Sequence, residues 1–130
     1  MIVVDASALV DLLAGTRRSA TVARSLGDSD VLFAPELLLV EVTSALWRLC
    51  RTGSLRAEVA TQAVRQLIGM PVTLVPHRDL VAAAWARRES VRLADAYYLA
   101  CAQMLRAPLV TTDARLARGP HVGVTVTLAG

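Results

Sequence analysis

Lysine is missing from this chain. All 14 basic residues are arginine, set against 11 acids for a net charge of +3 over 130 residues. Any pocket that needs a lysine ammonium to balance its acids therefore cannot be built here. Aromatic residues number only five (Phe33, Trp47, Trp85, Tyr97 and Tyr98), too few for broad stacking on nucleic-acid bases. Cys50 and Cys101 form no CxxC or Cys/His cluster, so they read as buried thiols rather than a disulfide, a redox pair or a zinc site. Long apolar runs are also absent. The longest, Leu80 to Ala86 and Ala96 to Ala102, are seven residues each, whereas a membrane-spanning helix needs about 20. No bilayer crossing is expected. The first residues carry no basic stretch and reach Asp5 at once, unlike a secretory leader, so a cytoplasmic location is the expectation.

What is present is apolar enough to fold. Hydrophobic residues make up 55% and charged residues 19%, which suits a single domain spanning 1–130 with a substantial core. Five β-like runs recur, at Met1 to Val4, Val31 to Ala34, Val72 to Val75, Pro108 to Thr112 and Val122 to Leu128. Helix-length segments separate them. Ser7 to Ala14 and Ser19 to Leu26 read as a pair broken near Gly15. Pro35, at a first-turn position, opens a helix to about Arg51. After Gly53 and Ser54 another runs to about Met70, and further helices fit Arg78 to Glu89 and Ala94 to Arg106. Such alternation predicts an α/β fold, a parallel sheet with helices on both faces. The last run alternates apolar and small polar groups, as an edge strand does. In such a sheet the functional crevice opens at the carboxyl ends of the central strands. Asp5 and Asp113 each directly follow a strand.

Four acids stand out by their surroundings. Asp5-Ala-Ser7 puts a carboxylate at a strand end and a hydroxyl at the start of the next helix; capping alone would explain the pair. Glu41 interrupts an otherwise apolar helix between Val40 and Val42, where glutamate is seldom buried without a partner. Glu36, in the first turn, reads as structural. Asp95 opens a helix that continues Ala-Tyr-Tyr-Leu-Ala-Cys-Ala, with N-capping as its alternative role. Asp113 ends Leu109-Val-Thr-Thr112, either as a turn residue or as a site residue with Thr111 and Thr112 beside it. If all four met, two carboxylates 4 Å apart would repel by about 4 kcal/mol at an effective dielectric of 20. A cation must then fill the pocket, and an oxygen-only donor set selects Mg²⁺ or Mn²⁺ over zinc. His77 and His121, both beside proline, read as solvent-facing. The other seven acids would face fourteen arginines on the rest of the surface, which suits a partner made of phosphates, with an ordinary basic surface in an arginine-biased protein as the alternative.

Met1-Ile-Val-Val-Asp-Ala-Ser-Ala-Leu9, Pro35-Glu-Leu-Leu-Leu-Val-Glu-Val-Thr-Ser-Ala-Leu46, Leu93-Ala-Asp-Ala-Tyr-Tyr-Leu99 and Pro108-Leu-Val-Thr-Thr-Asp-Ala-Arg-Leu116 follow one another in this order. In these motifs the chain resembles the PIN-domain ribonucleases, specifically the VapC-type toxins of prokaryotic toxin–antitoxin pairs. The resemblance implies a three-layer α/β/α PIN domain with a central, mainly parallel five-stranded sheet flanked by helices. It implies that Asp5, Glu41, Asp95 and Asp113 bind Mg²⁺ or Mn²⁺, supported by Ser7 and Thr111, for metal-assisted hydrolysis of RNA. Arg115 is a candidate to contact substrate phosphate or to screen the acids, with a plain surface role as the alternative, and Arg17-Arg18, Arg48, Arg51 and Arg87-Arg88 are candidates to hold the RNA backbone. A homodimer and a cognate VapB-type antitoxin are further implications. Trp47 and Trp85 read as helix-face core residues, with anchoring of a partner as the alternative. A phosphoryl-transfer domain of similar architecture is disfavoured, because it needs a pocket lysine and, for the phosphatase type, an acid where Ser7 stands. A dinucleotide-binding domain lacks its GxGxxG turn. A PIN-like module that binds without cutting remains the rival, and the four acids count against it.

Overall fold

In this computed structural model, residues 1–27 and 31–130 are described. The elements run β1 (Ile2–Val4), α1 (Ala6–Ala14), α2 (Ser19–Leu26), β2 (Leu32–Pro35), α3 (Leu37–Arg51), α4 (Ala57–Gly69), β3 (Val72–Val75), a 3₁₀ turn (His77–Asp79), α5 (Val81–Ala86), α6 (Leu93–Leu105), β4 (Leu109–Thr111), α7 (Ala114–Ala117) and β5 (Val126–Leu128). The strands form one sheet in the order β3-β2-β1-β4-β5, and every pairing is parallel. Strand order reverses at β1, which pairs with β2 on one side and β4 on the other. Right-handed crossovers then send α1–α4 to one face and α5–α7 to the other, giving the expected α/β/α sandwich. No helix among the described residues is long and apolar enough to cross a membrane.

Burial explains why these segments take these forms. Ile2, Val3 and Val4 are all buried, as a central parallel strand covered on both faces requires. α6 buries Ala96 and the unbroken run Tyr98 to Ala102 as it packs across β1, β2 and β4. Its small residues let it lie close to the sheet. Cys101 is buried in this helix, where removal from water pushes its thiol up to about 12, and Cys50 is half-buried; both are free thiols. Gly15 closes α1 in the left-handed region at φ 67°, which lets the chain turn at once toward α2.

Several local expectations are corrected. Pro35 does not open a helix: it is the last residue of β2, paired with Val75, and α3 starts at Leu37. Proline is tolerated at this strand end because its missing N–H ends the ladder. The segment from Arg78 to Glu89 divides into a 3₁₀ turn and a six-residue helix. The final strand keeps its edge position but shrinks to Val126–Leu128, because Gly123 turns the chain at φ 74°. Trp47 and Trp85 are not core residues; they are 63% and 58% exposed. Neither histidine faces solvent freely. His77 Nε2 accepts the Leu37 N–H at 2.8 Å, and its ring packs on Tyr97 at 5.1 Å between centroids. His121 Nε2 lies 2.6 Å from the Leu116 carbonyl.

Candidate metal centre

The switch in strand order leaves a cleft above β1 and β4, and the chain fills its walls with acid. Asp5 leaves the end of β1, Glu41 comes from the second turn of α3, Asp95 from the first turn of α6, and Asp113 from the turn after β4. All four line one cleft of about 340 Å³, together with Ser7, Ser44, Arg48, Arg92 and Tyr98.

Asp5 is the deepest of them, 5% exposed. Its Oδ1 accepts the Ser7 hydroxyl at 2.7 Å and the Ala8 N–H at 3.1 Å, while Oδ2 accepts the Thr111 hydroxyl at 2.7 Å. Asp5, not Ser7, therefore caps α1, so capping and a site role coexist in one side chain. Ser7 Oγ in turn accepts the Thr112 N–H at 3.1 Å, and Thr111 Oγ1 accepts the Asp113 N–H at 2.9 Å. The two hydroxyls thus lock the ends of β1 and β4 to each other around one carboxylate. Burial pushes the Asp5 carboxyl up to about 6 against the pull of these three hydrogen bonds, and the negative charge of Asp95 adds to the rise.

Asp95 is not an N-cap. Arg92 occupies that position, and its Nε and Nη2 each bond one Asp95 oxygen at 3.1 Å. Hydrogen bonding to Asp95 and its charge raise the Arg92 guanidinium further, against slight desolvation, with Glu41 and Asp113 adding to the effect. Asp113 caps α7, a helix the sequence reading did not anticipate, by accepting the Arg115 N–H at 2.9 Å, and Arg115 Nη2 bonds its other oxygen at 3.0 Å. Burial works upward on Asp113, but the hydrogen bonds and charge of Arg115 overcome it and hold the carboxyl below its usual range. Glu41 is half-buried beside Tyr98, whose hydroxyl is buried with no hydrogen-bond partner among the described residues. Burial, then the charge and proximity of Glu41, drive the Tyr98 hydroxyl far above its ordinary range. Glu36 is structural as expected, though by a different contact: its Oε1 accepts the His77 N–H at 3.1 Å.

The four acids share the cleft without closing on one another. Among the described residues no three Asp, Glu, His or Cys side chains form a ready coordination cluster. Two of the four carboxylates are instead held by arginine. Ser44, Arg92 and Tyr98 are the polar cleft residues that sequence reasoning missed. The available signal was helical spacing, since Arg92 and Tyr98 stand three residues before and after Asp95, and Ser44 three after Glu41.

The sequence profile of the PIN domain matches residues 2–122. A relative named ribonuclease VapC3, from Mycobacterium tuberculosis, is 42% identical over 117 residues, covering 90% of this chain and 85% of its own. Among solved structures, the Mycobacterium tuberculosis toxin VapC20, described as cleaving the sarcin–ricin loop, superposes with a TM-score of 0.69 at 21% identity, over 96% of this chain and 99% of that one. A toxin–antitoxin complex from Klebsiella pneumoniae gives a TM-score of 0.61 at 20% identity, over 96% of each chain. At those identities the two structures speak for the fold alone.

Proposed function

The chain belongs to the PIN-domain family, and on that premise we propose that it is a metal-dependent endoribonuclease of the VapC type, a toxin neutralised by a VapB-type antitoxin. The observation that carries this reading is the convergence of Asp5, Glu41, Asp95 and Asp113 on one cleft in a chain without lysine. The ribonuclease name of the VapC3 relative supports it. The donor set fits Mg²⁺ or Mn²⁺: its oxygens are hard, and no histidine or cysteine lines the cleft. Among the described residues Asp5 is bonded only to the neutral donors Ser7, Ala8 and Thr111, so no side-chain cation pairs with this buried carboxylate. Asp5, Glu41 and Asp95 would hold the ion, with Asp113 at the outer edge. When bound, the ion would lower the pKa of water at the site, so that hydroxide is available near neutral pH, and would offset charge on the phosphoryl oxygens.

The protein's part is positioning. Ser7 and Thr111 each spend their proton on Asp5 and so fix the plane of its carboxylate. Arg48, on the cleft wall, and Arg115, at its edge, offer guanidinium groups to the RNA backbone. With so few aromatics, recognition runs through phosphates and RNA shape rather than base stacking. The exposed Trp47 and Trp85 are surfaces for the homodimer or the antitoxin. The proposed place of action is the cytoplasm, where RNA is available.

Incubating structured RNA with the purified protein tests this directly. Cleavage should require Mg²⁺ or Mn²⁺, stop on adding EDTA, and fall at least a hundredfold in Asp5→Asn. Equal cleavage by wild type and Asp5→Asn refutes the assignment, and RNA binding without cutting under either metal identifies a binding module instead.

A further inference from the structure

Arg92 faces contradictory demands in this cleft. Its fork occupies both oxygens of Asp95, and a dication bound by Asp95 needs those same oxygens. Guanidinium and metal are therefore competitors for one carboxylate. The two side chains differ in freedom: Arg92 is 61% exposed and Asp95 only 15%. The arginine can swing out into solvent, while the carboxylate is held in the cleft wall by α6. Arg92 also lies in the field of Glu41 and Asp113, so it answers to three of the four acids at once. Arg115 differs, because its partner Asp113 is engaged by a main-chain N–H as the cap of α7.

We propose that Arg92 is a displaceable counter-ion: it neutralises Asp95 while the cleft is empty, yields that carboxylate to the divalent ion, and turns its fork to an RNA phosphate next to the cut. This rests on the divalent-ion reading of the cleft given above. The hand-over is inexpensive on the arginine's side, because the Arg92 guanidinium is largely exposed and regains water when it leaves Asp95. It also keeps charge balanced in both states. The empty cleft gains a positive group from Arg92, and the loaded cleft, now supplied with its dication, frees that group for an anionic substrate.

The two halves of the hand-over predict opposite effects of one substitution. In Arg92→Gln, Mn²⁺ affinity, read from the electron paramagnetic resonance of free manganese, should tighten two- to fivefold. Binding of dimethyl phosphate to the Mn²⁺-loaded protein, read from ³¹P line broadening, should weaken severalfold. Arg92→Lys keeps the charge without the fork and should fall between wild type and Arg92→Gln in both. A merely structural role would weaken both ligands together with the melting temperature. Unchanged or weaker Mn²⁺ binding in the folded variants overturns the competition, and unchanged dimethyl phosphate binding overturns the transfer to phosphate. If the wild type itself takes up no Mn²⁺, the divalent-ion reading fails instead, a result distinguishable from either.

Discussion

Burying the Asp5 carboxylate costs the metal-free chain stability, because the native state favours the protonated form. With its pKa raised from 3.8 to about 6, the native protein binds more protons than the unfolded chain between those values. Its contribution to stability therefore falls as pH rises from about 4 to about 6, then levels off. The full effect is about 3 kcal/mol as an upper bound. In EDTA, Asp5→Asn should remove this pH dependence and melt several degrees higher than wild type at pH 7. Thermal melts across pH 4–8 check it; a destabilised variant would mean that the hydrogen bonds to Ser7 and Thr111 outweigh the buried charge. The four acids were legible in the sequence because a carboxylate among apolar neighbours is conspicuous. Arg92 was not, since one arginine among 14 carries no mark until the fold shows which one faces an acid.

At the scale of elements, Glu41 is aimed by a lock at the start of α3. His77 accepts the Leu37 N–H, and Glu36 accepts the His77 N–H, so α3 is tied to the segment after β3 by two hydrogen bonds. Removing the ring strands a helix N-terminal donor. His77→Ala should cost about 1–2 kcal/mol in urea denaturation, and it should weaken Mn²⁺ binding by loosening the helix that carries Glu41. On the opposite face of the sheet, α6 closes on Arg106 in the left-handed region at φ 51°, a conformation that glycine adopts more easily. Arg106→Gly should raise stability by about 0.5–1 kcal/mol by the same measurement. Helices and strands could be placed from alternation and punctuation, but their ends could not. Pro35 reads as a helix opener and serves as a strand end, because its pairing with Val75 is decided by a strand some 40 positions away.

For the molecule as a whole, the contrast between core and surface sets how mutations act. Leu99 is fully buried on α6 where that helix crosses the sheet; Leu99→Ala should cost about 2–5 kcal/mol, checked by denaturant unfolding. Trp47 and Trp85 are exposed, so replacing both by serine should leave the far-ultraviolet circular dichroism unchanged and, if they form the proposed homodimer surface, shift sedimentation toward the monomer. An unshifted sedimentation profile would remove them from that surface. By itself the sequence determined the α/β class and the parallel sheet and marked the four acids as candidates, since apolar periodicity and the solvation cost of a carboxylate act on each segment locally. Only the tertiary structure decided that the tryptophans face outward, that Asp5 rather than Ser7 caps α1, and that arginines hold Asp95 and Asp113 in the cleft. Those outcomes depend on which surfaces residues far apart in the chain cover or leave open, and that is set by packing.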